Sequence, residues 1–357
     1  MAYTTIDNPE EHFVTTIWTG SGGAKTITGL EFKPDLIWTK TRSVGYNHMI
    51  SDSTRGFNAN SELGSNSTAV EGGLSAETYG YKSGHTSDGW TMVDGTDTVD
   101  SQEDGNTNQP SVTYVGWTWK ANGGTTSSNS DGDITSTVQA NTTAGFSIVT
   151  WTGNGTDEDT VGHGLSGNWD VAIVKNRGET DYWTFSRTGT SSVLLLHDST
   201  NEANHSTAYL TKSSGVIGLV SAGDLGMVNG SSETYVAYVF KEIQGYSKFG
   251  SYTGNSNADG PFIYTGFKPA FLMWKKTNSA DDWGIHDNKR EESTNANPID
   301  NYLRPNTQAV EGDDGDSVDF LSNGFKWRLS SGLRNNSGDT YIYIAFAETP
   351  FKYSNAR

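Results

Sequence analysis

Apolar residues in this chain fall in short runs separated by Gly, Asn, Asp, Ser and Thr. The most regular runs alternate with a period of two. In 114–119, Tyr114, Gly116 and Thr118 point one way while Val115, Trp117 and Trp119 point the other, which is strand geometry. No segment sustains the i, i+3, i+4, i+7 spacing of a helix. The nearest, 201–210, is short and carries Asn201, Asn204 and the β-branched Thr207. The pattern predicts an all-β chain of many short strands, joined by turns in which Gly supplies positive φ and Asn and Asp bond their own backbone.

The strands come in an order that occurs three times. Each copy opens on an aromatic-Thr-Gly turn, at Trp18-Thr19-Gly20, Trp151-Thr152-Gly153 and Tyr252-Thr253-Gly254. An apolar run ending in Lys follows, closing at Lys40, Lys175 and Lys276. Next come strands around His48, Trp183 and Trp283, then a Ser-x-Gly turn at Gly89, Gly223 and Gly324. Copies one and three also share Ala-Val-Glu-Gly, at 69–72 and 309–312. Each copy ends on an aromatic strand, at 114–119, 235–240 and 341–346. These closing strands are bulky on both faces in copies two and three, so they are expected to be covered on both sides or to meet a neighbouring module or subunit. The expected architecture is three tandem, diverged, jelly-roll-like β-sandwich modules over 1–122, 133–243 and 244–357. Gly/Ser/Asn-rich residues 123–132 read as a flexible linker. The junction 244–250 carries Tyr246 and Phe249 and should hold modules two and three rigidly together.

Composition narrows the function. Of 357 residues only 33% are hydrophobic, yet 11 Trp, 16 Tyr and 14 Phe supply large side chains for small cores and argue against disorder. The net charge of −18 and the lack of a Lys/Arg cluster argue against nucleic-acid binding. There is no cysteine, which removes disulfides and thiol chemistry. The N-terminus has neither the basic nor the apolar region of a signal peptide, and no apolar run is long enough to span a membrane.

Candidate chemistry is sparse. There is no Gly-x-Ser-x-Gly elbow, and the histidines (His12, His48, His85, His163, His197, His205 and His286) lack zinc-protease spacing. No enzyme is expected, and no catalytic residue or cofactor. Calcium is the one ion with candidate loops: Asn129/Asp131/Asp133, Asn255/Asn257/Asp259 and Asp313/Asp314/Asp316. Solvated turns are the blander explanation of these loops. The pairs Asp52/Arg55 and Asp287/Arg290 share an i, i+3 spacing and read as turn-stabilising salt bridges. Trp90, Trp183 and Trp283 are the candidate glycan-stacking residues, although the matched positions of Trp183 and Trp283 put core packing ahead of ligand binding for those two.

The run 245–255, from Gly245-Tyr246-Ser247-Lys248-Phe249-Gly250, continues into Asp259-Gly260-Pro261-Phe262 and Tyr264-Thr265-Gly266-Phe267-Lys268-Pro269. With 319–326, 341–348 and the ending Asn355-Ala356-Arg357, it resembles an uncharacterised repeat module of tail-fibre-like and other structural proteins of marine tailed bacteriophages. The opening, Met1-Ala2-Tyr3-Thr4-Thr5-Ile6 to Phe13, resembles the start of such proteins. The resemblance implies a virion setting. The leading expectation is a surface part of the particle, a tail appendage or a head decoration, that contacts other virion proteins and copies of itself. A glycan-binding adhesin acting through aromatic faces on the host surface is the second expectation. It implies no catalytic residue.

Overall fold

The computed structural model describes residues 4–97, 104–187, 193–202, 209–220, 224–291, 297–330 and 332–353. His205, Gly223, Asn355, Ala356, Arg357, residues 1–3 and part of 201–210 lie outside it, as do the side chains of Asp314 and Asp316.

The chain is all-β, as the alternation predicts. The first segment contains β1 (Phe13–Thr19), β2 (Lys25–Ile27), β3 (Leu36–Thr41), β4 (Met49–Asp52), β5 (Tyr81–Thr86), β6 (Gly89–Val93) and β7 (Thr113–Trp119), with a one-turn helix α1 (Ala76–Tyr79). The second contains β8 (Ser127–Asn129), β9 (Ser136–Asn141), β10 (Phe146–Thr152), β11 (Thr160–Gly162), β12 (Val171–Asn176), β13 (Trp183–Arg187), β14 (Leu194–Leu195), β15 (Leu210–Ser213), β16 (Val216–Leu219) and β17 (Thr234–Phe240). The third contains β18 (Ser247–Thr253), β19 (Phe262–Tyr264), β20 (Phe267–Lys276), β21 (Trp283–Asp287), β22 (Ile299–Tyr302), β23 (Gly312–Leu321), β24 (Gly324–Trp327) and β25 (Thr340–Pro350).

One antiparallel strand order recurs in the three main sheets: β1-β7-β3-β4, β10-β17-β12-β13 and β18-β25-β20-β21. The closing strands β7, β17 and β25 hold the same inner place in each. A smaller sheet accompanies each main one, ordered β2-β6-β5, β11-β16-β15 and β19-β24-β23-β22. The opening turns explain themselves in this frame. Trp18 stacks on Tyr114, Trp151 on Tyr235 and Tyr252 on Tyr341, with centroids 4.9–5.2 Å apart. A Cβ at Gly20, Gly153 or Gly254 would lie 1.9–2.2 Å from a backbone oxygen of the loop leading into the closing strand, so no larger residue fits there.

Both faces of each main sheet are buried, for different reasons. Tyr235 and Tyr341 belong to the core that their own segment's two sheets enclose, and Tyr114 is fully buried against Trp18. Val115, Trp117 and Trp119, with Val236, Tyr238 and Phe240 and with Ile342, Ile344 and Phe346, face the opposite way into one core common to all three segments. The matched residues Trp119, Phe240 and Phe346 meet there, with ring centroids 5.6–6.3 Å apart. Three main sheets thus pack around a pseudo-threefold centre. Deleting one such aromatic typically costs about 3–5 kcal/mol.

Residues 123–132, expected as a flexible linker, are built into the fold. β8 lengthens the second main sheet by pairing with β9. The N–H groups of Ala121, Gly123 and Gly124 converge on the buried Asp35 carboxylate at 2.7–2.8 Å. A carboxylate taken out of water needs such donors, and backbone without bulky side chains supplies them at close range.

Candidate functional site

Several buried polar side chains lie where one segment docks on the next. At all three junctions a backbone N–H crosses in the same way: Glu71 to the Arg177 carbonyl, Glu202 to the Thr277 carbonyl, and Glu311 to the Arg42 carbonyl, at 2.8–3.0 Å. Seven residues before each Glu, a carbonyl receives a ring N–H from the next segment. Trp183 Nε1 donates to Gly64 (2.7 Å), Trp283 Nε1 to Leu195 (2.9 Å), and His48 Nε2 to Arg304 (3.0 Å). The last contact returns from the first segment to the third, so the junctions close a ring.

These contacts correct the assignment of the tryptophans. Trp90, Trp183 and Trp283 are no more than 1% exposed. Trp90 fills the first segment's core, where Gly116 leaves room for it: a Cβ there would lie 3.2 Å from the indole. Trp183 and Trp283 are junction anchors. None of the three offers a face to a sugar.

The Asp/Arg pairs are also placed differently from the expected surface turns. Asp52 and Arg55 are 2.5 Å apart and Asp287 and Arg290 2.6 Å, with all four side chains fully buried. Each arginine also reaches the Glu of the shared Ala-Val-Glu-Gly motif, Arg55 to Glu71 at 2.5 Å and Arg290 to Glu311 at 2.7 Å. The neighbouring segment completes each cluster. Arg177 and Tyr238 join the first, with the Tyr238 hydroxyl donating to Asp52 at 2.8 Å. Arg42 and Trp117 join the other, with Trp117 Nε1 donating to Asp287 at 3.0 Å. Surrounding carboxylates hold the Arg290 and Arg55 guanidiniums above their ordinary range despite the opposing effect of burial.

Sequence reasoning passed over the lysines that end the apolar runs. Lys40, Lys175 and Lys275 are buried, and each ammonium donates to the carbonyl of the next residue at 2.6–3.0 Å. Lys40 also reaches Gln308 and Lys275 reaches Ser199, both in the adjoining segment. Burial pulls Lys40 down to about 7 and the other two down to about 8. Their signal was present in the sequence as a Lys following a largely apolar run, three times over. In the third run it falls on Lys275, one residue before the end taken there.

Buried histidines have structural partners too. Trp38 Nε1 donates to His48 Nδ1 (2.9 Å), leaving Nε2 to carry the proton given to Arg304. Trp274 Nε1 does the same for His286 Nδ1 (3.2 Å). Burial holds both imidazoles well below the ordinary histidine value.

Described side-chain oxygens of the calcium-candidate loops are engaged in turns; those of Asp314 and Asp316 lie outside the described residues. Asn129 Oδ1 accepts from the Asp131 N–H, Asn255 Oδ1 from Asn257, Asn257 Oδ1 from Asp259, and Asp313 Oδ1 from Gly315. Asp133 binds Thr160, and Asp259 binds Lys326. Among the described residues no three His, Asp or Glu gather as metal ligands.

An open concavity lies beside the junction between the third and first segments. A cleft of about 360 Å³ lies between the loop after β3 (Tyr46, Asn47), the start of α1 (Ser75, Tyr79), Asn106, and Gln308 of the third segment.

No curated protein matches this sequence, and no solved structure matches it. The family comparison does find a match, and it runs through all three segments as one unit, from residue 8 to residue 350. The chain belongs to the family described as a domain of unknown function (DUF7483).

Proposed function

We propose that this chain is a non-enzymatic structural component on the outside of a tailed-bacteriophage virion, most simply a tail appendage or fibre-like protein that contributes to host attachment. The observation that carries the reading is where the buried ionisable groups go. Asp52, Arg55, Asp287, Arg290 and the three strand lysines all bind a neighbouring segment or local backbone, the arrangement of a rigid building block. The sequence resemblance supplies the virion setting. On this reading the segments are three diverged copies of one sandwich module, supported by the recurring strand order and junction bonds. The partners are other virion proteins and further copies of the chain, arranged about an axis of the particle. No cofactor takes part. Head decoration is the alternative location, and glycan binding is an added role that the uncharged cleft favours.

Antibodies raised against the purified chain test the location. Immuno-electron microscopy of intact particles should label the tail. Label on the head would move the chain to the decoration alternative. Particles without the chain, by label and by mass spectrometry, would overturn the virion reading.

A further inference from the structure

We propose that the cleft between the first and third segments is a binding site for a neutral sugar ring. The inference rests on the host-attachment reading above and gives it a site. At about 360 Å³ the cleft falls in the range of small-ligand pockets, typically about 300–1,000 Å³. None of its lining residues, all described, carries a charge, although the chain has a net charge of −18. The lining itself offers no cation to an anionic sugar or nucleotide and no carboxylate to a cationic ligand. The charges of Lys40 and Asp104 lie buried behind it, with the Lys40 ammonium bonded to the Gln308 carbonyl.

The wall supplies what a neutral polyhydroxylated ring requires. Tyr46 and Tyr79 are half-buried, and the Tyr46 hydroxyl donates to Gln109 Oε1 at 3.0 Å, which pins its ring. Such rings offer an apolar face for C–H groups beside a polar edge. Asn47 Oδ1 accepts from both Asn66 Nδ2 and Gln308 Nε2, each at 2.8 Å. That chain of amides fixes the orientation of Asn47 and Gln308. It leaves the Asn47 NH₂ as donor and Gln308 Oε1 as acceptor, neither with a protein partner among the described residues. A donor beside an acceptor matches two neighbouring hydroxyls. Ser75 adds a hydroxyl that does not cap α1, and it sits in the left-handed region at φ 55°. Strain of this kind in a non-glycine residue is common at ligand clamps.

The amide pair is also a local departure from the threefold pattern. Strand register sets Asn47 level with Tyr182 and Asp282, each five residues before the partner of Leu36, Val171 or Phe271. The junction bonds set Gln308 level with Thr68 and Ser199, each three residues before the crossing Glu. Only one of the three junctions therefore carries the pair. Breaks of a shared structural rule concentrate at functional sites.

The test is titration of the purified full chain with galactose, glucose, mannose and N-acetylglucosamine and their short neutral oligosaccharides. Sialic acid and glucuronic acid serve as charged comparators, with binding read by calorimetry and ligand-observed NMR. At least one neutral sugar should bind saturably and the charged ones should not. Tyr79→Ala and Gln308→Ala should each weaken that binding at least tenfold with an unchanged melting temperature. If a variant melts lower, Gln308→Glu, which keeps the shape and adds a charge, replaces it and should give the same loss. No saturable neutral-sugar binding, preference for the acidic sugars, or binding indifferent to these variants would each overturn the proposal. Failure here leaves the particle-labelling result untouched, and the two readings fall separately.

Discussion

Two junctions of the ring are built alike and the third is not. Between segments one and two, and between three and one, a buried Asp–Arg–Glu set meets an arginine and a hydrogen-bond donor from the neighbour. Between segments two and three the position of Asp52 and Asp287 is Arg187, which meets Glu202 at 3.3 Å with side chains 25% and 17% exposed. The facing positions change in concert. Tyr238 and Trp117 give way to Ile344, which has no donor, and Arg177 and Arg42 give way to Thr277. Once the carboxylate is gone, a donor aimed at it would be buried without a partner, so the losses go together. The backbone and tryptophan contacts persist at the third junction. Those contacts and the shared core are therefore what all three junctions have in common, while the buried Asp–Arg–Glu sets are confined to two of them. Specificity is the better-attested use of buried ion pairs, since their net contribution to stability is small.

The comparison breaks most visibly through the arginines. Arg290→Met should cost about 3–5 kcal/mol, because Asp287 and Glu311 are left facing each other without their shared cation. Arg55→Met should cost the same at the equivalent junction, where Asp52 and Glu71 lose theirs. Denaturant unfolding with an unchanged m-value measures both. A loss below about 1 kcal/mol in either would show that water reaches the cluster.

Acid should act next. Burial keeps His48 and His286 neutral in the folded chain, while the unfolded chain protonates them near the ordinary value of 6.5. For these two groups the unfolded state then binds more protons, so the histidine contribution to stability is fully present above pH 6.5 and is lost as pH falls below it, by up to about 1.4 kcal/mol per pH unit for each histidine. Denaturation midpoints between pH 8 and 5 check the sign. His48→Gln should flatten the slope, and a slope that it does not change would remove His48 from this account.

Much of this architecture can be read from residue order alone. Period-two alternation in 114–119, 235–240 and 341–346, with bulk on both faces of the last two, implies covered strands, and the structure covers those two with a segment core on one side and the common core on the other. The depth of the charges cannot be read that way. Asp52-x-x-Arg55 closes a turn through the same local bonds whether water or Tyr238 lies beyond it, and the neighbour that decides is 183 residues from Arg55. Trp183 and Trp283 pose the same problem, since an aromatic that anchors a junction and one that stacks on sugar have the same local sequence. The cleft is further out of reach. Asn47 and Gln308 lie 261 residues apart and meet only when the ring closes. Gly/Ser composition at 123–132 suggested freedom because the buried acceptor that orders it, Asp35, sits in another part of the chain.

The smallest effect belongs to the third junction. Arg187→Ala should cost no more than about 1 kcal/mol, because the Arg187–Glu202 pair is partly hydrated and its attraction is largely offset by side-chain ordering. A double-mutant cycle sharpens the contrast. Arg187 and Glu202 should couple by less than about 1 kcal/mol, and the coupling should shrink further in 1 M salt, where charges are screened beyond about 3 Å. The Arg290–Glu311 cycle should show a larger coupling that salt barely alters, since Arg290 is fully buried. Equal couplings at the two junctions, with equal salt dependence, would mean that exposure does not distinguish them. The concerted changes at Arg187, Thr277 and Ile344 would then have no electrostatic basis.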